Sequence, residues 1–101
     1  MSLTTDPDDP RLRRGVDDVP GDQADVYLVA SEEERARGFL RPVRYSYRHL
    51  TCGAVTYMDA SIAETYARDP KFYGATYCVK CRKHLPVGEF RWTDGGTVVG
   101  S

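Results

Sequence analysis

No stretch of this chain approaches the 18 consecutive apolar residues that a membrane-spanning helix needs, so no span is expected. The first residues, Met1-Ser2-Leu3-Thr4-Thr5-Asp6-Pro7, have no basic start followed by an apolar stretch, so no signal peptide is expected either. Cysteine is scarce: Cys52, Cys78 and Cys81 are all there is. An odd count without a secretion signal argues against a disulfide framework and for a reducing compartment. Catalytic signatures are also missing. There are no paired carboxylates, no Ser-His-Asp set and no phosphate-cradling glycine loop. The zinc-deaminase pattern needs Glu two positions after a His or Cys ligand and Pro before its Cys-x-x-Cys; here position 54, two after Cys52, is Ala and position 77 is Tyr. No enzyme activity is expected.

What is present is 101 residues, enough for one small domain. The formal charge of −1 hides an asymmetry. Residues 1–30 carry −4 and residues 31–101 carry +3. Residues 1–24 are rich in Asp and Pro and poor in large apolar side chains. Such a stretch buries too little surface to offset its ordering entropy, so it is expected to be an acidic flexible arm with no helix or strand of its own. Residues 25–101 are expected to form the folded, zinc-binding domain.

Within the body, Val26-Tyr27-Leu28-Val29 has strand composition. Ser31 with Glu34 has capping-box spacing, which predicts a helix of roughly two turns ending at Gly38. Val43, Tyr45 and Tyr47 alternate with polar residues, which predicts a strand over 43–48, and residues 54–58 can return beside it. Asp59 or Ser61 can cap a second helix that stops before Pro70. Residues 72–78 read as a strand. Residues 89–99 read as a hairpin turning on Asp94-Gly95-Gly96.

The chemistry concentrates in two matched spacings. His49-x-x-Cys52 and Cys78-x-x-Cys81 each leave two residues between donors, the separation that lets one turn aim both side chains at one ion. Together they make a Cys3His set, the composition of a closed structural zinc site. Thiolates and imidazole select zinc over magnesium or calcium. His84 offers an alternative fourth ligand; the symmetry of two matched turns favours His49. Reduced core cysteines and a thioredoxin-like pair are the competing readings. The first does not account for the paired spacing. The second needs a helix after Cys-x-x-Cys, and Pro86 and Gly88 follow instead. A body of this size gains from a metal, because its core alone is marginal. The expected fold is a small α+β, zinc-ribbon-like arrangement: short antiparallel strands and one or two short helices around one structural zinc ion.

The string His49-x-x-Cys52-Gly53, residues 62–70, Phe72-Tyr73-Gly74-Ala75-Thr76-Tyr77-Cys78-x-x-Cys81, His84-x-Pro86-Val87 and Glu89-Phe90-x-Trp92 resembles a family of small, mostly uncharacterised proteins encoded by bacteriophages and prophages. The resemblance covers about residues 24–101. It implies a cytoplasmic setting in a bacterial host and a role in docking on a host or phage protein. It does not choose between His49 and His84.

Composition leaves two binding classes. Seven Tyr, three Phe and one Trp are more aromatic surface than so small a core needs, which favours a protein partner. Arg35, Arg37, Arg41, Arg44 and Arg48, interleaved with Phe39, Tyr45 and Tyr47, make nucleic acid the alternative partner. The sequence pI of about 6.1 weighs against that alternative. A membrane partner is not expected.

Overall fold

The β-branched and aromatic segments become strands wherever a second segment can pair with them. The computed structural model describes residues 2–13 and 15–101. Among these, a three-stranded antiparallel sheet is built from β3 (Ser46–His49), β4 (Val55–Tyr57) and β7 (Phe90–Trp92), in the order β4-β3-β7. A second sheet pairs β5 (Ala75–Cys78) antiparallel with β6 (Lys83–Pro86). A third pairs β1 (Ser2–Thr4) with β2 (Val26–Leu28), and this pair is parallel. With helices α1 (Glu32–Arg35) and α2 (Ala60–Arg68), the architecture is small α+β with short strands. No described helix is long and apolar enough to cross a membrane.

Both helices start on side-chain caps. Ser31 Oγ accepts the Glu34 amide at 3.1 Å, and three glutamates fill the first turn of α1. The expected second turn does not form. This helix buries no residue, and a short helix with no buried face does not offset its nucleation cost. For α2 the cap is Asp59, whose Oδ1 accepts the Ser61 amide at 2.8 Å. Ala63, Thr65, Tyr66 and Ala67 are buried on one side of it, and Asp69 ends it before Pro70. The helices are tied by Arg35–Glu64 at 2.6 Å and Arg68–Glu34 at 3.0 Å.

The alternation that begins at Val43 becomes a strand only from Ser46. Ser46 pairs with Tyr57, the last residue of β4, so residues 43–45 have almost no ladder to join. The hairpin at residues 89–99 is half regular. Trp92 N–H donates to Thr97 O and Val99 N–H to Phe90 O, but only Arg91 and Val98 form a bridge beyond β7. Gly95 (φ 84°) and Gly96 (φ 72°) supply the left-handed turn.

The core lies between these sheets and α2. Tyr47, Tyr66, Cys78, Phe90, Trp92 and Val99 form it. Its rings meet edge to face: Tyr47–Phe90 at 5.2 Å and Tyr66–Trp92 at 5.3 Å. The buried Tyr47 hydroxyl donates to Tyr77 O and accepts from Thr76, so the first sheet is bonded to the second through its core.

The N-terminal arm departs from expectation. Among its described residues, Ser2–Thr4 form a strand, β1, and others are bonded to the body. Asp17 N–H donates to His84 O at 2.9 Å and Gly21 N–H to Arg82 O at 2.7 Å, along the open edge of β6. The physical reason is that apolar burial is not the only route to order. The arm supplies backbone donors and acceptors to strand edges that otherwise lack partners.

Candidate metal centre

Two tight turns of the same construction build the site. β3 ends on His49, and the Gly53 amide closes back to His49 O at 2.7 Å. β5 ends on Cys78, and the Arg82 amide closes back to Cys78 O at 2.8 Å. Each turn passes through the left-handed region one residue after its second donor, at Gly53 (φ 75°) and at Arg82 (φ 56°). Arg82 is the one described non-glycine residue with positive φ. Its backbone follows the path that glycine follows in the first turn.

The turns bring His49, Cys52, Cys78 and Cys81 together, with their donor atoms all within 4.8 Å of one another. His49 Nδ1 lies 3.3 Å from Cys52 Sγ and 3.5 Å from Cys81 Sγ. Cys52 Sγ and Cys78 Sγ are 3.5 Å apart, and no disulfide joins the three thiols. Tetrahedral bonds of about 2.3 Å to sulfur and about 2.0 Å to nitrogen imply donor separations of about 3.5 to 3.8 Å. The cluster therefore fits zinc in size as well as in donor type. His49 and Cys78 are buried; Cys52 and Cys81 are half-buried.

The other face of the His49 ring is also held. Its Nε2 meets Glu89 Oε1 at 3.0 Å, and Phe90 packs against the ring with centroids 4.7 Å apart. A carboxylate on the far nitrogen fixes the tautomer and turns Nδ1 toward the sulfurs. Sequence reasoning missed Glu89 in this role. It stands 40 residues from His49, and only the antiparallel register of β7 on β3, with Phe90 opposite His49, brings it near.

Crowding four donors together perturbs them. Desolvation works against a Cys52 thiolate, but hydrogen bonds from the Ala54 amide, His49 and the other two thiols outweigh it and bring its pKa down to about 7. Desolvation pushes Cys81 up to about 11, reinforced by the neighbouring Cys78 and Cys52 sulfurs. Desolvation opposes the imidazolium of His49, yet hydrogen bonds to Glu89 and Cys52 raise its pKa.

His84, the alternative fourth ligand, is elsewhere. It is buried, and both its ring nitrogens have partners: Nδ1 meets Asp17 Oδ2 at 2.7 Å and Nε2 meets the Tyr27 hydroxyl at 2.8 Å. The Asp17 carboxylate also accepts the His84 amide at 2.7 Å. This ring clasps the arm to β6.

The chain matches no protein-family model, no curated protein and no solved structure.

Proposed function

We propose that the chain is a small, non-enzymatic binding module stabilised by one zinc ion and docking on a protein. The reading rests on the closed donor set. His49, Cys52, Cys78 and Cys81 would hold the ion, and four protein donors leave no position for water or substrate. The ion would act as a cross-link between the two sheets, leaving the outer surface for recognition. The resemblance to small phage and prophage proteins points to a zinc-ribbon-like accessory protein in the cytoplasm of a bacterial host, acting on a host or phage protein.

The arginine-rich 35–48 segment gives little support to nucleic acid. Arg35 is paired with Glu64 and Arg37 with Glu34. Arg44 covers the Trp92 ring at 4.7 Å, so of the five only Arg41 and Arg48 have neither a carboxylate nor a ring as partner among the described residues. Phosphate contacts would have to compete with these interactions. Two measurements test the proposal. Elemental analysis of protein purified without chelator is expected to give near one zinc per chain; iron, or no metal, overturns it. Affinity capture from host lysate is expected to retain a protein partner after nuclease treatment, and a partner lost with nuclease overturns the protein-docking reading.

A further inference from the structure

The outer face of the three-stranded sheet carries an arrangement that the metal centre does not explain. Arg48 on β3 and Arg91 on β7 are directly opposed in register, and both are exposed. Like charges placed opposite each other destabilise a sheet. Neither guanidinium takes part in an ion pair among the described residues, a state shared with Arg13, Arg41 and Arg44, whereas Arg11, Arg35, Arg37, Arg68 and Arg82 each have a carboxylate. Their hydrogen bonds go to turn carbonyls, Arg48 to Gly53 at 3.1 Å and Arg91 to Gly96 at 3.4 Å. Those turns lie at opposite ends of the sheet, so the two guanidiniums lean apart along the strands. Tyr57, 76% exposed, stands two residues along the same face, opposite Ser46.

We propose that this face binds an extended acidic peptide segment of the protein partner, with carboxylates at alternate positions meeting Arg48 and Arg91 and the backbone lying against Tyr57. Residues two apart in an extended chain point the same way and are separated by about 6.6 Å. Each of the two guanidiniums can take a carboxylate through two parallel hydrogen bonds, so alternate carboxylates of one extended segment can face both together. Tyrosine and arginine are the side chains that anchor protein interfaces. Charge complementarity favours a short acidic peptide over nucleic acid. Two guanidiniums and one phenol serve a short segment with two carboxylates, whereas a sequence pI of about 6.1 does not supply the wider basic surface that nucleic acid needs.

This inference rests on the protein-docking reading. It is tested on the full, zinc-loaded chain by fluorescence anisotropy with three labelled probes: an octapeptide of alternating Glu and Ser, its Gln-Ser counterpart, and an eight-nucleotide oligothymidylate. The Glu-Ser peptide is expected to bind and the Gln-Ser peptide not to. The Arg48→Gln, Arg91→Gln double variant, with zinc content unchanged, is expected to weaken binding at least about ten-fold, and Tyr57→Ser several-fold. Arg48 bonds a carbonyl of a metal turn; if its substitution releases zinc, Arg91→Gln and Arg91→Glu carry the test alone. No binding of the Glu-Ser peptide, binding indifferent to these variants, or tighter binding of the oligonucleotide overturns the inference. A partner captured from lysate equally well by the double variant overturns it too, while leaving the protein-docking reading intact.

Discussion

His49 and His84 are both buried histidines with a carboxylate at 3.0 Å or less, yet they serve different parts of the molecule. His49 turns its second nitrogen to two sulfurs, and His84 turns its second nitrogen to a phenol. Substitution should separate them. His49→Ala removes one of four donors, and zinc release to a colorimetric chelator is expected to become fast, with a large fall in melting temperature. His84→Ala is expected to keep near one zinc per chain but to lose about 1–3 kcal/mol of stability, because Asp17 and Tyr27 lose their shared partner in a half-buried setting. Zinc release from His84→Ala and not from His49→Ala would reverse the assignment. Glu89 tests the second layer of the site. Glu89→Ala leaves all four donors in place but frees the imidazole to rotate. Zinc affinity measured by chelator competition is expected to fall by about ten-fold or more; an unchanged affinity would mean that packing on Phe90 alone orients the ring.

Among the elements, those whose signals are local were readable. Ser31 and Asp59 announce the helix starts, Pro70 the end of α2, and the two x-x spacings the turns that gather the four donor side chains, because each depends on residues within one turn of chain. β6 was not legible: Lys83, His84 and Pro86 have no strand composition, and the segment is a strand only because β5 pairs with it in register. The strand β1 in the arm was not legible for the same reason. The arm's order comes from bonds to β2 and β6, and those partners lie far along the chain. The clasp at Asp17 carries a pH dependence. The His84 amide, opposed in part by desolvation and helped by the His84 ring, holds the Asp17 carboxyl below the usual aspartate range. A depressed carboxyl contributes stability that is complete above its ordinary pKa and is lost as pH falls through the lowered one. Hydrogen exchange at the Gly21 amide is therefore expected to show protection that fades in acid below the ordinary aspartate range. In Asp17→Asn that protection is expected to be weaker at neutral pH and nearly independent of pH. Equal protection in both proteins would place the clasp in the backbone bonds alone.

For the whole molecule, the question is what joins the sheets. The turn after β3 supplies His49 and Cys52, the turn after β5 supplies Cys78 and Cys81, and Cys78 is itself a core residue with no exposed surface. Direct links between these sheets also exist, among them Tyr47 to Tyr77 O and the Val79 amide to Thr56 Oγ1 at 3.2 Å. These are single hydrogen bonds, each contributing about 1 kcal/mol net. A structural zinc ion contributes ~10 kcal/mol or more, comparable with the 5–15 kcal/mol of net stability typical of a domain. Removing it would leave thiols and an imidazole crowded at 3.3–3.5 Å without a cation between them, in a core of six principal side chains. Under reducing conditions, chelation is therefore expected to unfold the chain cooperatively. The near-UV circular dichroism of the packed aromatic rings and the dispersion of the methyl resonances should disappear together and return on adding one equivalent of zinc. A chelated protein that keeps both signals and melts within a few degrees of the loaded one would show that aromatic packing holds the sheets together, and that the four donors are an accessory to the fold.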